Sequence, residues 1–134
     1  MYIIVCLDTM GGILFNNRRQ SRDSVIVKDI AEMADGKLYM SEYSKKLFKD
    51  YDNITVGEEF PFSENEGDFC FAECEITQEA VDKAEGFVIY RWNKLYPQDV
   101  SFTISLSKNG FKQESTTDFE GTSHDKITKE VWKR

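Results

Sequence analysis

At 134 residues the chain is long enough for one domain, residues 1–134, with a core of its own. Its 40% hydrophobic and 31% charged residues are those of a globular chain rather than a disordered one. The formal net charge of -7 disfavours non-specific binding to nucleic-acid phosphates. No run reaches the ~20 apolar residues of a membrane span.

The opening run Met1-Tyr2-Ile3-Ile4-Val5-Cys6-Leu7 is continuously apolar, which suits a strand covered on both faces in a central parallel sheet. It lacks a basic start and meets Asp8 at once, so it does not read as a signal peptide. Gly11-Gly12 marks a turn, and a basic polar loop through Arg18, Arg19, Gln20, Ser21, Arg22 and Asp23 follows. Asp23 or Ser24 caps a helix whose Ile26, Val27, Ile30, Met33 and Ala34 share one face, and Gly36 stops it. Lys37–Met40 reads as a second strand, and Ser41 as the cap of a helix burying Leu47, Phe48 and Tyr51.

Asn53–Gly57 is a brief third strand, and the acidic stretch Glu58–Asp68 an exposed loop. Phe69–Ala72 is a fourth strand. Thr77 caps the next helix, with Ile76 and Val81 spaced as a hydrophobic staple and Gly86 closing it. Phe87–Tyr90 is a fifth strand. Beyond it Val100, Phe102, Ile104 and Leu106 alternate with polar residues, as in a half-buried antiparallel strand. Asn109-Gly110 signals a hairpin turn, with Phe111–Phe119 as the returning partner. The last element, through Ile127, Val131 and Trp132, fits helix and strand equally. The order predicts a three-layer α/β sandwich: a mostly parallel central sheet with an antiparallel C-terminal hairpin.

That order resembles the dihydrofolate reductases. Gly12-Ile13 is similar to their Gly-Ile before the substrate loop, and Lys37–Met40 to the strand before their Gly-Arg-Lys-Thr cofactor motif. Phe69–Ala84 resembles the strand, Gly-Gly turn and helix that hold the cofactor pyrophosphate. Tyr96–Phe102 is similar to their Pro-x-Asp-Thr-x-Phe segment. The resemblance implies their fold and, as one reading, an NADPH-dependent reductase. The cofactor motifs differ, however. Ser41-Glu42-Tyr43-Ser44 stands in place of Gly-Arg-Lys-Thr, and Glu73-Cys74, or Ala72-Glu73, in place of Gly-Gly. A glutamate there adds bulk and repels a phosphate. The family's acidic helix residue falls near Ser24 or Val25, leaving Asp23 as a shifted counterpart. Leu14–Asp23 also resembles a segment of short bacterial proteins labelled ribonuclease Z. The single histidine cannot supply that enzyme's two-zinc ligand set.

Three cysteines, Cys6, Cys70 and Cys74, read as reduced thiols in a cytoplasmic protein. Arginine forks suit phosphate or carboxylate recognition. A basic loop in an acidic chain therefore points to a small anionic or nucleotide-like ligand, held in a crevice by Arg18, Arg19, Ser21, Arg22, Asp23, Ser41, Tyr43 and Glu73. Equally, the arginines could pair internally with Asp8, Asp23 and Asp29. Trp92 and Tyr96 form a second cluster, as a core cap or, if exposed, a protein-interaction patch. Ser123 beside His124 reads as a cap residue next to a histidine paired with an acid. No residue pattern names a catalytic group, a cofactor or a metal site.

Overall fold

The computed structural model describes residues 1–134. Tyr2–Leu7 forms β1 at the centre of a seven-stranded sheet. Beside it lie β6 (Phe69–Phe71) and β7 (Gly86–Arg91), both parallel to β1. β4 (Leu38–Met40) and β5 (Ile54–Val56) extend the sheet beyond β6, also in parallel. β10 (Ile127–Lys133) runs antiparallel to β7, and β9 (Lys112–Phe119) pairs with it at the edge.

Because side chains alternate along a strand, each central strand feeds two cores. Ile3, Val5 and Leu7 face a layer holding α3 (Gln78–Lys83), where Ala80 and Val81 allow close approach. Ile4 faces the other layer, with Ile26, Val27 and Ile30 of α1 (Ser24–Ala34) and Phe48. Each of these α1 side chains contributes roughly 1.5–3 kcal/mol by leaving water. The result is the expected three-layer sandwich. No helix is long and apolar enough to cross a membrane.

Capping follows the sequence closely. Asp23 accepts from Val25 N at 3.0 Å, and Asp35 and Gly36 end α1 with φ of 42° and 82°. Ser41 caps α2 (Glu42–Lys45), and Thr77 caps α3. The helix expected after Ser41 is shorter than its apolar spacing suggested: it tightens to a 3-10 turn at Lys46–Phe48, with Phe48 fully buried.

Five expectations are corrected. The arginine loop is a hairpin: β2 (Gly12–Phe15) pairs with β3 (Arg18–Arg19) across Asn16-Asn17. Both asparagines have positive φ, 51° and 59°, the geometry a two-residue turn needs and asparagine tolerates. Gly86 does not close α3, which ends at Lys83; it opens β7, where a Cβ would lie 2.9 Å from the Tyr2 ring and against the Trp132 carbonyl, so only glycine fits. The alternating run after Val100 keeps ladder bonds only in β8 (Val100–Ser101), which joins β2 in a small three-stranded sheet. Its Phe102 and Ile104 instead cover the first core, Phe102 lying 5.6 Å from the Phe87 ring. Phe111–Phe119 pairs not with that run but with the last element, which is a strand. The acidic loop is only partly exposed: Phe60 and Phe62 pack on the first core, and Asp68 is buried.

Candidate functional site

Since β4, β6, β1 and β7 are parallel, their carboxyl ends open on one edge. Ser41, Glu73, Asp8 and Trp92 follow those ends in turn. Thr128 stands opposite Arg91, which brings the β9–β10 loop with His124 to the same edge. The site therefore gathers segments distant in sequence.

The crevice expected among the arginines and strand ends is closed by the chain's own charges. Arg19 Nε and Nη2 donate to both Glu73 carboxylate oxygens at 2.7 and 2.9 Å. Ser44 Oγ donates to Glu73 at 2.8 Å, and Ser41, its cap partner, donates to Ser44 at 3.1 Å. The Tyr43 ring lies 4.6 Å below the Arg19 guanidinium, and its hydroxyl accepts from Arg19 N at 3.2 Å. Arg19 side-chain exposure is 20% and that of Glu73 is 8%. The space left beneath them, lined also by Cys6, Ile30 and Phe71, is about 20 Å³, room for a single water. Burial pushes the Cys6 thiol up, and the Glu73 charge adds to this against the opposing Arg19, so Cys6 stays protonated. Burial likewise raises Cys70 and Cys74 to about 11. All three are free thiols.

The internal pairs expected of Asp8, Asp23 and Asp29 with arginine do not form. Asp8, fully buried, accepts from the backbone of Met10, Gly12 and Tyr96 and from Gln20 Nε2, tying the β1 end to two loops. Asp29 takes Tyr90 and Lys129. Arg18 and Arg22 are exposed and have no carboxylate within 4.0 Å. They open on different hollows. Arg18 borders a trough of about 450 Å³ with Phe15, Asn16, Gln20 and Tyr96. Arg22 borders one of about 300 Å³ with Asp50, Tyr51 and Thr122.

Asp23 and Ser21 turn inward, away from Arg19. Asp23 Oδ2 lies 2.9 Å from His124 Nδ1, and Asp23 also accepts from the backbone N–H groups of Val25, Thr122 and Ser123. Burial works to raise this carboxyl, but the His124 bond and the three amides outweigh it and hold it well below the usual carboxylate range. His124 is thus paired with an acid, as its sequence setting suggested. On its other side His124 Nε2 meets Ser21 Oγ at 3.0 Å and Tyr96 OH at 3.1 Å. Trp92 stacks on the imidazole, centroids 4.6 Å apart, and is only 4% exposed. Trp92 and Tyr96 are therefore part of this site and form no exposed patch. Arg91 points away, to Glu130 at 2.7 Å.

Ser44 and His124 are the partners that sequence reasoning left out of the site. The serine spacing Ser41-x-x-Ser44, both in one short helical turn, was a usable signal for the first. Nothing local joins His124 to Ser21 across 103 positions. No cluster of three or more His, Cys, Asp or Glu side chains is arranged for a metal ion.

No protein-family model matches the chain, and no curated protein matches it. Among solved structures it is similar to a dihydrofolate reductase from Enterococcus faecalis, complexed with NADP(H) and RAB-propyl. The TM-score is 0.71 over 99% of this chain and 95% of that one, at 11% identity. The likeness is one of fold, and the chain has a dihydrofolate reductase-like fold.

Proposed function

We propose that the chain binds a small anionic, nucleotide-like ligand in the trough beside the β2–β3 hairpin. The observation that carries this reading is Arg18: an exposed guanidinium with no carboxylate partner, at the rim of a hollow of about 450 Å³, in a chain of net charge -7. That volume is in the usual range for small-molecule sites. Phe15, 42% exposed, and Tyr96 offer aromatic faces for a planar group, while Asn16 adds a hydrogen-bonding side chain. The reading moves the ligand away from Ser41, Tyr43 and Glu73, which are engaged with Arg19. A reductase on this scaffold would need the dinucleotide against Glu73, where the ion pair stands, so nothing in the geometry favours it over simple binding.

The test is a thermal-shift series with inorganic phosphate, adenine and guanine nucleotides, folate and NADPH. A ligand bound only by the native state adds about 2.7 kcal/mol at a hundredfold excess over its dissociation constant. A nucleotide or phosphate shift lost in Arg18→Ala is expected. A shift with NADPH alone, untouched by Arg18→Ala, would overturn the reading in favour of the reductase.

A further inference from the structure

The residues around His124 form a constellation that shares only Tyr96 with the ligand trough at Arg18. Asp23 is 3% exposed and carries its charge, so its oxygens only accept. The proton between the two residues therefore sits on His124 Nδ1, and in the neutral ring Nε2 is left as a bare lone pair. Ser21 Oγ is 3.0 Å from that lone pair. The imidazole cannot swing away, because Trp92 covers its face and Asp23 is itself fixed by three backbone amides. This is the order of contacts that activates a serine: hydroxyl to imidazole to carboxylate, each within 3.0 Å.

Two further observations point the same way. Ser21 lies on the link between β3 and α1, where the backbone N–H groups of Ser21 and Arg22 donate to no acceptor within the protein. Free amides at and just after a nucleophile are the donors that a developing oxyanion requires. Ser21 is also only partly covered: it lines the small space of about 20 Å³ beneath Arg19 and stands between Gln20 and Arg22, which border the two surface hollows.

We propose that Ser21 is a nucleophile for acyl transfer from small carboxylic esters, with His124 as its base and Asp23 as the positioning residue. Ser21 Oγ bonds to the ester carbonyl carbon as its proton passes to His124 Nε2. The C–O bond to the alcohol then breaks, and the alcohol leaves with that proton. Water repeats the sequence on the acyl-serine, releasing the carboxylic acid and restoring Ser21.

Tyr96 sets the condition. Its hydroxyl is 3.1 Å from the same Nε2 and 3.4 Å from Ser21 Oγ, so two hydroxyls share one lone pair. Whenever Tyr96 donates to the ring, Ser21 loses its base. In a knot serving only to tie the β9–β10 loop to α1, removing the Tyr96 hydroxyl would not make Ser21 more reactive, which makes Tyr96 the discriminating residue.

The experiment is covalent labelling of the folded chain with a fluorophosphonate, the adduct located by peptide mass spectrometry. Ser24 serves as the internal reference: its hydroxyl contacts Thr122 and no histidine. Ser21 is expected to label on the order of a hundredfold faster than Ser24, within the ordinary range for a positioned base. Tyr96→Phe is expected to speed labelling severalfold, and Ser21→Ala to abolish that adduct while leaving any Arg18-dependent ligand shift intact. Equal labelling of Ser21 and Ser24, or an unchanged rate in folded Tyr96→Phe, would overturn the proposal. His124→Gln, if folded, should drop Ser21 to the Ser24 rate; if it unfolds, Tyr96→Phe still decides.

Discussion

Two polar knots sit side by side at the carboxyl ends of the central strands, and they spend their groups differently. In the first, Arg19 and Glu73 satisfy each other in a two-point fork, with Ser44 and Tyr43 completing it. Opposite charges meet and cancel, and the crevice between them shrinks to about 20 Å³. In the second, Asp23 is also saturated, but its partner His124 passes a lone pair outward to two hydroxyls. A fork between full charges closes a site, while a carboxylate working through an imidazole leaves chemistry at its far end. A buried ion pair is by itself weak evidence for stability, because the cost of taking two charges out of water can match their attraction.

The largest effect that separates the knots should come from Asp23→Ala. It removes the α1 cap and leaves His124 and three backbone donors without their acceptor, so a loss of about 3 kcal/mol or more in denaturant unfolding is expected. Glu73→Ala should cost somewhat less, about 2–3 kcal/mol, since Arg19 remains part-exposed and can draw water. The sharper experiment is the double replacement Arg19→Met with Glu73→Leu. It should recover most of that loss, because apolar groups of similar size commonly replace a buried pair without penalty.

Acid should weaken the Asp23 knot in a way that can be read directly. Asp23 starts from an ordinary value of 3.8 and is held lower when folded, so its contribution is full above about pH 5 and fades as the pH falls towards the folded value. Glu85, held down first by the N-terminal amine, and Glu130, where Arg91 and Trp132 outweigh burial, titrate in the same direction. Unfolding free energy should therefore decline below about pH 5, with a flatter acid limb in Asp23→Asn. The smallest effect is expected from Arg18→Ala, within about 0.5 kcal/mol in stability, since this exposed side chain holds nothing together.

Much of the scaffold was legible in the sequence because it is written locally. An unbroken apolar run marked β1, and Asp23, Ser41 and Thr77 announced three helix starts. What escaped was non-local pairing. The Asn16-Asn17 turn lacks the glycine that usually signals a hairpin, and the alternation from Val100 to Leu106 reports one buried side, which a covering segment has as well as a strand. In the site, Arg19 and Glu73 both stand out by residue type and position, yet their mutual engagement across 54 positions depends on which strands lie adjacent. For His124 the sequence offered an acid as partner, while only the register of β10 against β7 selected Asp23 and set Ser21 on the other side.

Gly86 gives that last register a mechanical side. At its far end β10 passes so close to Gly86 that the Trp132 carbonyl occupies the place of a side chain. From there β10 pairs with β7 without a break to Thr128 opposite Arg91, and the loop that precedes it carries His124, held in turn by Asp23, Ser21 and Tyr96. A methyl group at Gly86 would strain one end of a continuous ladder whose other end delivers the imidazole to Ser21.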